Sequence, residues 1–185
     1  MIWESTSWKA ELAREIRAVK RCMAQPMNTD EQHERAGVAL EKFVFVSAFI
    51  ARKLMESKKL SDELEGKALH LQGYPRINHN KQIDFLNWHQ IDRFYDFAKS
   101  KTATLLPRDL FNTIIHSFVF TLVTSDMGHG YEGFLFNSDR TKDAIIYKVS
   151  FRDYFELMQS VREDDIVSSQ FNRKTGRFQK SAHHR

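Results

Sequence analysis

The stretch FNTIIHSFVF, residues 111–120, places one histidine among large apolar side chains. Arg108, Asn112 and His116 follow one another at intervals of four residues. On a single helix over 107–124 this spacing puts the three polar side chains on one flank of an apolar stripe. Such a seam either lines a groove or pairs with polar groups of the next helix. We predict the structural role, in which the His116 imidazole is half-buried and one ring nitrogen is bonded to a neighbouring helix.

The polar residues of this segment resemble the motif of HEPN domains. These domains are small bundles of four or five helices, many of which act as RNases, and their motif has an arginine, four to six residues and then a histidine on a late helix. Asn112 and His116 stand where the family has a polar residue and the histidine, but Phe111 takes the place of the arginine. The resemblance covers about the first 125 residues. It implies a helical bundle that binds RNA or cleaves it without a metal, in a toxin or defence role, with His116 as general acid or base beside Asn112 and Arg108.

A second group of residues could contact single-stranded RNA, through stacking on the bases and through cations on the phosphates. It combines a histidine-rich segment at 70–93 with the basic end of the chain. The RNA-binding prediction covers Tyr74, Arg76, His79, Lys81, His89, Arg173, Lys174 and Arg177. The alternative for the first segment is an ordinary polar loop, since loops are polar in most proteins and Trp88 at helical spacing is typical of a core residue.

The glycine-rich stretch SDMGHGYEG places Asp126, His129 and Glu132 three residues apart. Two carboxylates and an imidazole are acceptable ligands for a divalent metal. A flexible connection explains the glycines equally well, and the group lacks a fourth protein ligand, so we predict no bound metal. The sequence contains no nucleotide-binding fingerprint, HExxH or CxxC motif, and we predict no cofactor. The single cysteine, Cys22, has no partner for an internal disulfide.

The net charge of +4 is concentrated at the end of the chain. Residues 172–185, NRKTGRFQKSAHHR, contain five lysines or arginines and no acidic residue, so residues 1–171 sum to −1. A basic segment of this kind binds phosphates weakly through counterion release. The alternative is a solvated terminus without a ligand.

Apolar residues at spacings of three and four predict four long helices, at 8–24, about 29–57, 84–98 and 107–124. The second of these has apolar side chains around nearly its whole circumference in its middle, so we expect it to be central and buried. Thr29 and the acidic residues after it mark its start. A short helix is predicted within 61–71, and a loop around Gly73.

The pattern changes after Asp126, where glycines become frequent and the apolar period shortens. Residues 134–136 and 144–149 are predicted to form a hairpin, Ser150 to cap a further helix, and the turn NRKTG to join two extended segments. The predicted fold class is therefore α+β and predominantly α, a four-helix-type bundle followed by a small antiparallel hairpin and helix. The predicted parts are a bundle at 1–125, a hairpin-and-helix extension at 126–171 and a basic tail at 172–185.

Fifteen phenylalanines and the lack of an assembled catalytic set in the sequence favour a non-catalytic interaction module. Its expected partner is another protein or a second copy of itself, and the HEPN-like RNA-binding or RNA-cleaving protein is the alternative. The longest apolar run, FVFVSAFIA at 43–51, is far shorter than the roughly 20 residues that cross a bilayer. Because glutamates stand near the start in place of a secretion signal, we expect a cytoplasmic protein without a membrane partner.

Overall fold

The computed structural model describes residues 3–77, 80–125 and 130–182. The helices in these ranges are α1 Ser5–Met23, α2 Asp30–Glu56, α3 Asp62–Gly66, α4 Pro107–Ile115 and α5 Phe151–Glu163, with a 3-10 turn at Ile91–Arg93. The strands are β1 Leu69–Pro75, β2 Lys101–Leu105, β3 Ser117–Thr124, β4 Tyr131–Ser138, β5 Ile145–Ser150, β6 Ile166–Asn172 and β7 Arg177–Ala182. None of these helices has the length and apolar content needed to cross a membrane.

Among the described strands, five form one antiparallel sheet in the order β2-β1-β5-β4-β3. β5 lies at its centre, where Gln72 of β1 is opposite Lys148 and Phe134 of β4 is opposite Val149. β2 and β3 are the two edges, while β6 and β7 pair with each other in a separate hairpin. The sheet thus draws strands from both sides of residue 125 into one layer.

The predicted four-helix-type bundle is wrong. The structure is an α+β fold with 44% helix and 28% strand, and it contains a five-stranded antiparallel sheet. The apolar run 117–124, SFVFTLVT, continues the period of α4 but consists largely of β-branched and aromatic residues, which favour a strand. It pairs with β4 from Ser117 to Thr124, so strand pairing determines its conformation. An apolar run this short fits a helix and a strand alike, and its periodicity does not separate the two.

The predicted helix at 84–98 is also wrong, because only Ile91–Arg93 has helical geometry there. Hydrogen bonds from side chains compete with helix formation at its start. The Asp84 carboxylate accepts from the Leu86 N–H at 2.9 Å, and the Asn87 side chain accepts from the Asp84 N–H at 3.0 Å. Aspartate and asparagine side chains that bind nearby backbone favour turns over helices.

The predictions for α1, α2, α5 and both hairpins are confirmed. Thr29 forms a capping box at the start of α2, since its hydroxyl accepts from the Gln32 N–H and the Gln32 side chain accepts from the Thr29 N–H. Ser150 caps α5 by accepting from the Asp153 N–H at 3.0 Å. The expectation that α2 is buried all round is wrong, however, because Val46 and Phe49 are exposed.

The sheet has a hydrophobic cluster on each face. The helices cover one face, where Phe134 of β4 is fully buried against Tyr154 of α5. The other face, which we call the outer face, is covered by the segment between β1 and β2, the outer segment. Phe94 and Tyr95 of this segment pack with residues of the sheet in the outer cluster. Residues that were predicted to form a helix thus cover this face of the sheet as an irregular segment. They bury the side chains that the central strands direct to this face.

Candidate functional site

His116 lies at the junction between α4 and β3. Its backbone N–H caps α4 by donating to the Asn112 carbonyl at 3.0 Å, and β3 begins at the next residue. The side chain is exposed, and no hydrogen bond from its imidazole to another described residue is found. The prediction of a half-buried imidazole bonded to a neighbouring helix is therefore wrong. It assumed a helix that continued to 124, whereas the chain leaves the helix at His116.

The sequence seam at Arg108, Asn112 and His116 spans the whole of α4. Eight residues correspond to about 12 Å of helical rise, so Arg108 and His116 belong to opposite ends of this helix. Arg108 lies near Glu56 at the end of α2, where the hydrogen bond from Lys53 and the nearby guanidiniums, opposed by partial burial, hold the pKa of Glu56 below its usual range. The ion-pair partners of Glu56 are Arg52 and Lys53, and Arg108 lies at the end of α4 away from His116.

We expect His116→Ala to change the free energy of unfolding by no more than about 0.5 kcal/mol, because an exposed side chain without a bonded partner contributes little to stability. Denaturant midpoints of the parent and the variant measure this effect. The nuclease role of His116 stays a prediction. Incubation of the same two proteins with mixed RNA tests it by measuring RNA cleavage. A loss of more than about 1 kcal/mol would show that the imidazole has a structural partner after all.

Two of the residues predicted to bind RNA are buried. Tyr74 packs in the outer cluster, with its ring 4.9 Å from that of Phe97. The Arg76 side chain is 2% exposed and forms an ion pair with Asp143. Lys81 and His89 are exposed on the segment before β2, and Arg173, Lys174 and Arg177 are exposed on the β6–β7 hairpin, while His79 lies outside the described residues.

A buried polar network holds the outer segment to the sheet. The Asn137 side chain is completely buried, accepts from the Val119 N–H at 3.2 Å and donates to the Tyr95 hydroxyl at 2.7 Å. The Tyr95 hydroxyl in turn donates to the Lys142 carbonyl at 2.7 Å. Burial raises the pKa of Tyr95 to about 12, against the opposing effect of the Asn137 hydrogen bond. This phenol is therefore a neutral structural group and not a candidate base at physiological pH.

No metal centre can be assembled from the described residues, since no three histidine, cysteine or acidic side chains converge among them. Asp126 and His129, two members of the group considered from the sequence, lie outside the described residues. The third, Glu132, forms an ion pair with Lys148. Cys22 is a free thiol with partial exposure.

An open groove of about 1400 Å³ lies between α1, α3, the end of α5 and the root of the β6–β7 hairpin. Its charges are mixed, and several of them are paired: Lys9 donates to the Asp164 carbonyl and forms an ion pair with Asp165 at 3.0 Å. Arg162 pairs with Glu163 at 2.7 Å. A groove with this balance of charge shows no preference for an anionic or a cationic ligand.

An apolar surface surrounds the open edge of β3, and we call it the β3-edge surface. On the helical side Phe45 of α2 packs against Phe120, and on the outer side Phe85 packs against Phe118. The same parts of α2 and of the segment before β2 have four exposed apolar side chains, at relative exposures of 39% for Val46, 45% for Phe49, 83% for Phe85 and 86% for Leu86. Large exposed apolar groups gathered around one strand mark a site of association.

The two edges of the sheet differ in how they are protected. β2 has five residues, KTATL, and begins with an exposed lysine. β3 has eight residues, SFVFTLVT, with no charge and no proline, and its strand neighbour in the described structure is β4 alone. Natural proteins shorten or charge the edges that must stay free, because an unpaired strand recruits another strand. β3 has a bulge near Phe118 but otherwise lacks these devices.

No family model matches this chain, and comparisons with curated proteins and with solved structures give no match either. We therefore infer function from the surfaces of the molecule itself, of which the β3-edge surface has the clearest physical character.

Proposed function

We propose that this protein is a non-catalytic interaction module that forms a dimer through its β3-edge surface. The observation that carries the proposal is the combination of an uncharged eight-residue edge strand, open on one side, with exposed aromatic side chains near both of its faces. The strand supplies backbone donors and acceptors, and the aromatic side chains supply apolar area.

A second copy of the same chain can pair its own β3 with this open edge. Two β3 strands that pair antiparallel are related by a two-fold axis, which closes the assembly at two copies and joins two five-stranded sheets into one. At about 3.3 Å per residue, the eight residues of β3 offer a pairing length of roughly 26 Å. Because β3 has no charged residue, self-pairing places no like charges opposite each other.

The flanking side chains add area on both faces of the joined sheet. The Val46 and Phe49 side chains lie on the exposed face of α2, next to Phe45, which already contacts β3. Phe85 and Leu86 occupy the corresponding place on the outer face. A buried aromatic side chain covers about 150–250 Å², and a stable interface needs about 800 Å² from each partner. At 45% and 83% exposure, Phe49 and Phe85 together supply roughly a third of that area, and the rest must come from the strand and its other neighbours.

We expect the parent protein to have twice the 21.8 kDa mass of one chain in solution, and Val46→Glu/Phe49→Glu to have the mass of one chain. The four added glutamates would lie close together around the two-fold axis, and both their mutual repulsion and the cost of desolvating them disfavour association. Light scattering coupled to size-exclusion chromatography measures both masses. The matched control is Trp3→Glu/Val167→Glu, which adds the same two charges per chain at exposed apolar residues outside this surface and should stay dimeric.

Hydrogen exchange tests whether β3 itself forms the contact. In a dimer built on this edge, the β3 amides that face away from β4 should be protected in the parent and exchange rapidly in Val46→Glu/Phe49→Glu. A parent protein that stays monomeric at about 100 µM, far above the Kd of a stable interface, would contradict the proposal. So would a dimer in which the exchange of β3 is the same in parent and variant.

A further inference from the structure

The β6–β7 hairpin projects from the fold as an ordered arm. Its strands pair from Ile166 with Ala182 to Asn172 with Arg177, and the residues at 167–179 are exposed. The turn is fixed by local bonds: the Asn172 side chain accepts from the backbone N–H of Lys174 at 2.9 Å and of Thr175 at 3.2 Å. Gly176 follows with a φ of +67°, a conformation that favours glycine. The tip therefore has a defined shape although nothing covers it.

A buried lysine anchors the root of this arm. The Lys180 side chain is 2% exposed and forms ion pairs with Asp62 and Glu65 of α3. Its ammonium also donates to the Leu60 carbonyl at 2.6 Å, and its backbone N–H donates to Asp62 at 2.9 Å. The arm is thus fixed to the body at one end, and the rest of its length is left free for contact with another molecule.

The tip of the arm holds three cations without acidic neighbours. Arg173, Lys174 and Arg177 are exposed, no ion pair joins them to any described residue, and 166–182 contains no aspartate or glutamate. Three exposed arginines on the helices are compensated in a way that these cations are not. Arg14, Arg35 and Arg152 each form an ion pair with a glutamate one turn away. The positive potential of the tip is therefore uncompensated, which suits a polyanion.

Two aromatic rings lie beside these cations. Phe171 and Phe178 are direct cross-strand partners with ring centroids 4.6 Å apart, and they remain 51% and 40% exposed. Their contact stabilises an isolated hairpin, which is marginal in water without it. It also leaves apolar ring surface in solvent, on which a flat apolar group of a ligand can stack.

We propose that the β6–β7 hairpin is an arm that binds single-stranded nucleic acid. The three cations contact consecutive phosphates, and the exposed rings of Phe171 and Phe178 stack on unpaired bases. Stacking selects single strands because the bases of a duplex are already stacked and closed to side chains. Both RNA and DNA offer this chemistry, and contacts to the 2′-hydroxyl would distinguish them.

Fluorescence anisotropy with labelled uridine and thymidine oligomers of about 12 nucleotides, and with a duplex of the same length, tests the arm. We expect saturable binding to one or both single strands, with a slope of log K against log salt near −2 for three phosphate contacts. Arg173→Ala/Lys174→Ala/Arg177→Ala should bring that slope close to zero. Phe171→Ala should weaken binding at least about fivefold and leave the slope unchanged.

The matched control is Arg17→Ala/Lys101→Ala/Arg140→Ala, which removes three exposed cations from α1, β2 and the β4–β5 connection. This control has the same net charge as the triple hairpin variant and should bind like the parent. Circular dichroism verifies that each variant is folded. Binding that falls equally in the control and the hairpin variant would overturn the proposal, because it would reflect net charge alone. Equal affinity for duplex and single strand, or no binding to either single strand, would also overturn it.

Discussion

Phe134→Ala is expected to lower the free energy of unfolding by about 3–5 kcal/mol, the cost of removing a buried phenylalanine and leaving a cavity. Phe134 is fully buried at the centre of the sheet. Its ring lies within 5.8 Å, centroid to centroid, of four other rings, those of Phe120, Phe136, Phe151 and Tyr154. These rings come from two strands and from α5, so the cavity would loosen the helical layer from the sheet. Denaturant unfolding, followed by circular dichroism, measures the loss.

The control for this variant is Trp3→Ala, which removes a larger ring from a residue that is 88% exposed. Its effect should stay within about 0.5 kcal/mol. If Phe134→Ala cost as little as Trp3→Ala, the packing between α5 and β4 would not hold the fold together as the structure indicates. A domain of ordinary stability has about 5–15 kcal/mol in total, so the predicted loss is a large fraction of it.

Lys180→Met should have the second largest effect, about 3–5 kcal/mol at the root of the β6–β7 hairpin. Methionine fills the volume of the lysine but removes the cation from two carboxylates, and the Glu65 side chain is only 18% exposed. An unpaired carboxylate in that position is poorly solvated. Because the hairpin can detach without unfolding the sheet, the cost should appear as local opening of β6 and β7.

Hydrogen exchange measures this local opening. In Lys180→Met the amides of β6 and β7 should exchange much faster than in the parent, while those of β4 and β5 should keep their protection. Lys174→Met is the matched control, since it removes a cation from the exposed tip of the same hairpin. Unchanged exchange in Lys180→Met would show that the ion pairs with α3 do not hold the arm.

The elements with local signals were predictable from the sequence. The capping residues Thr29 and Ser150 mark the starts of α2 and α5, and the turn at 172–176 marks the second hairpin. The strand at 117–124 was not predictable by the same means, because its apolar run continues the period of α4. Its conformation depends on pairing with β4, a partner that only the folded chain supplies.

The candidate sites also divide into those with a local sequence signal and those that depend on the folded structure. The cations of the hairpin tip were identified from the sequence, because a run of basic residues without acidic ones can be recognised without knowing the fold. The aromatic pair Phe171 and Phe178 was missed, although a register centred on the NRKTG turn would have placed the two residues opposite each other. The β3-edge surface has no sequence signal, because whether a strand is an edge depends on the order of the whole sheet.

Because β5 lies at the centre of the sheet, the sheet cannot be completed until β5 has been synthesised. β1 and β2 pair with each other, as do β3 and β4, and all four leave the ribosome before residues 145–150. Until β5 enters between them, β1 and β4 each present an open edge. The pairing of β5 with β1 joins distant parts of the chain, for example Gln72 with Lys148, and such pairing is slow. A nascent chain that stalls before residue 145 therefore holds two half-sheets, and it is the form on which chaperones and proteases have the longest time to act.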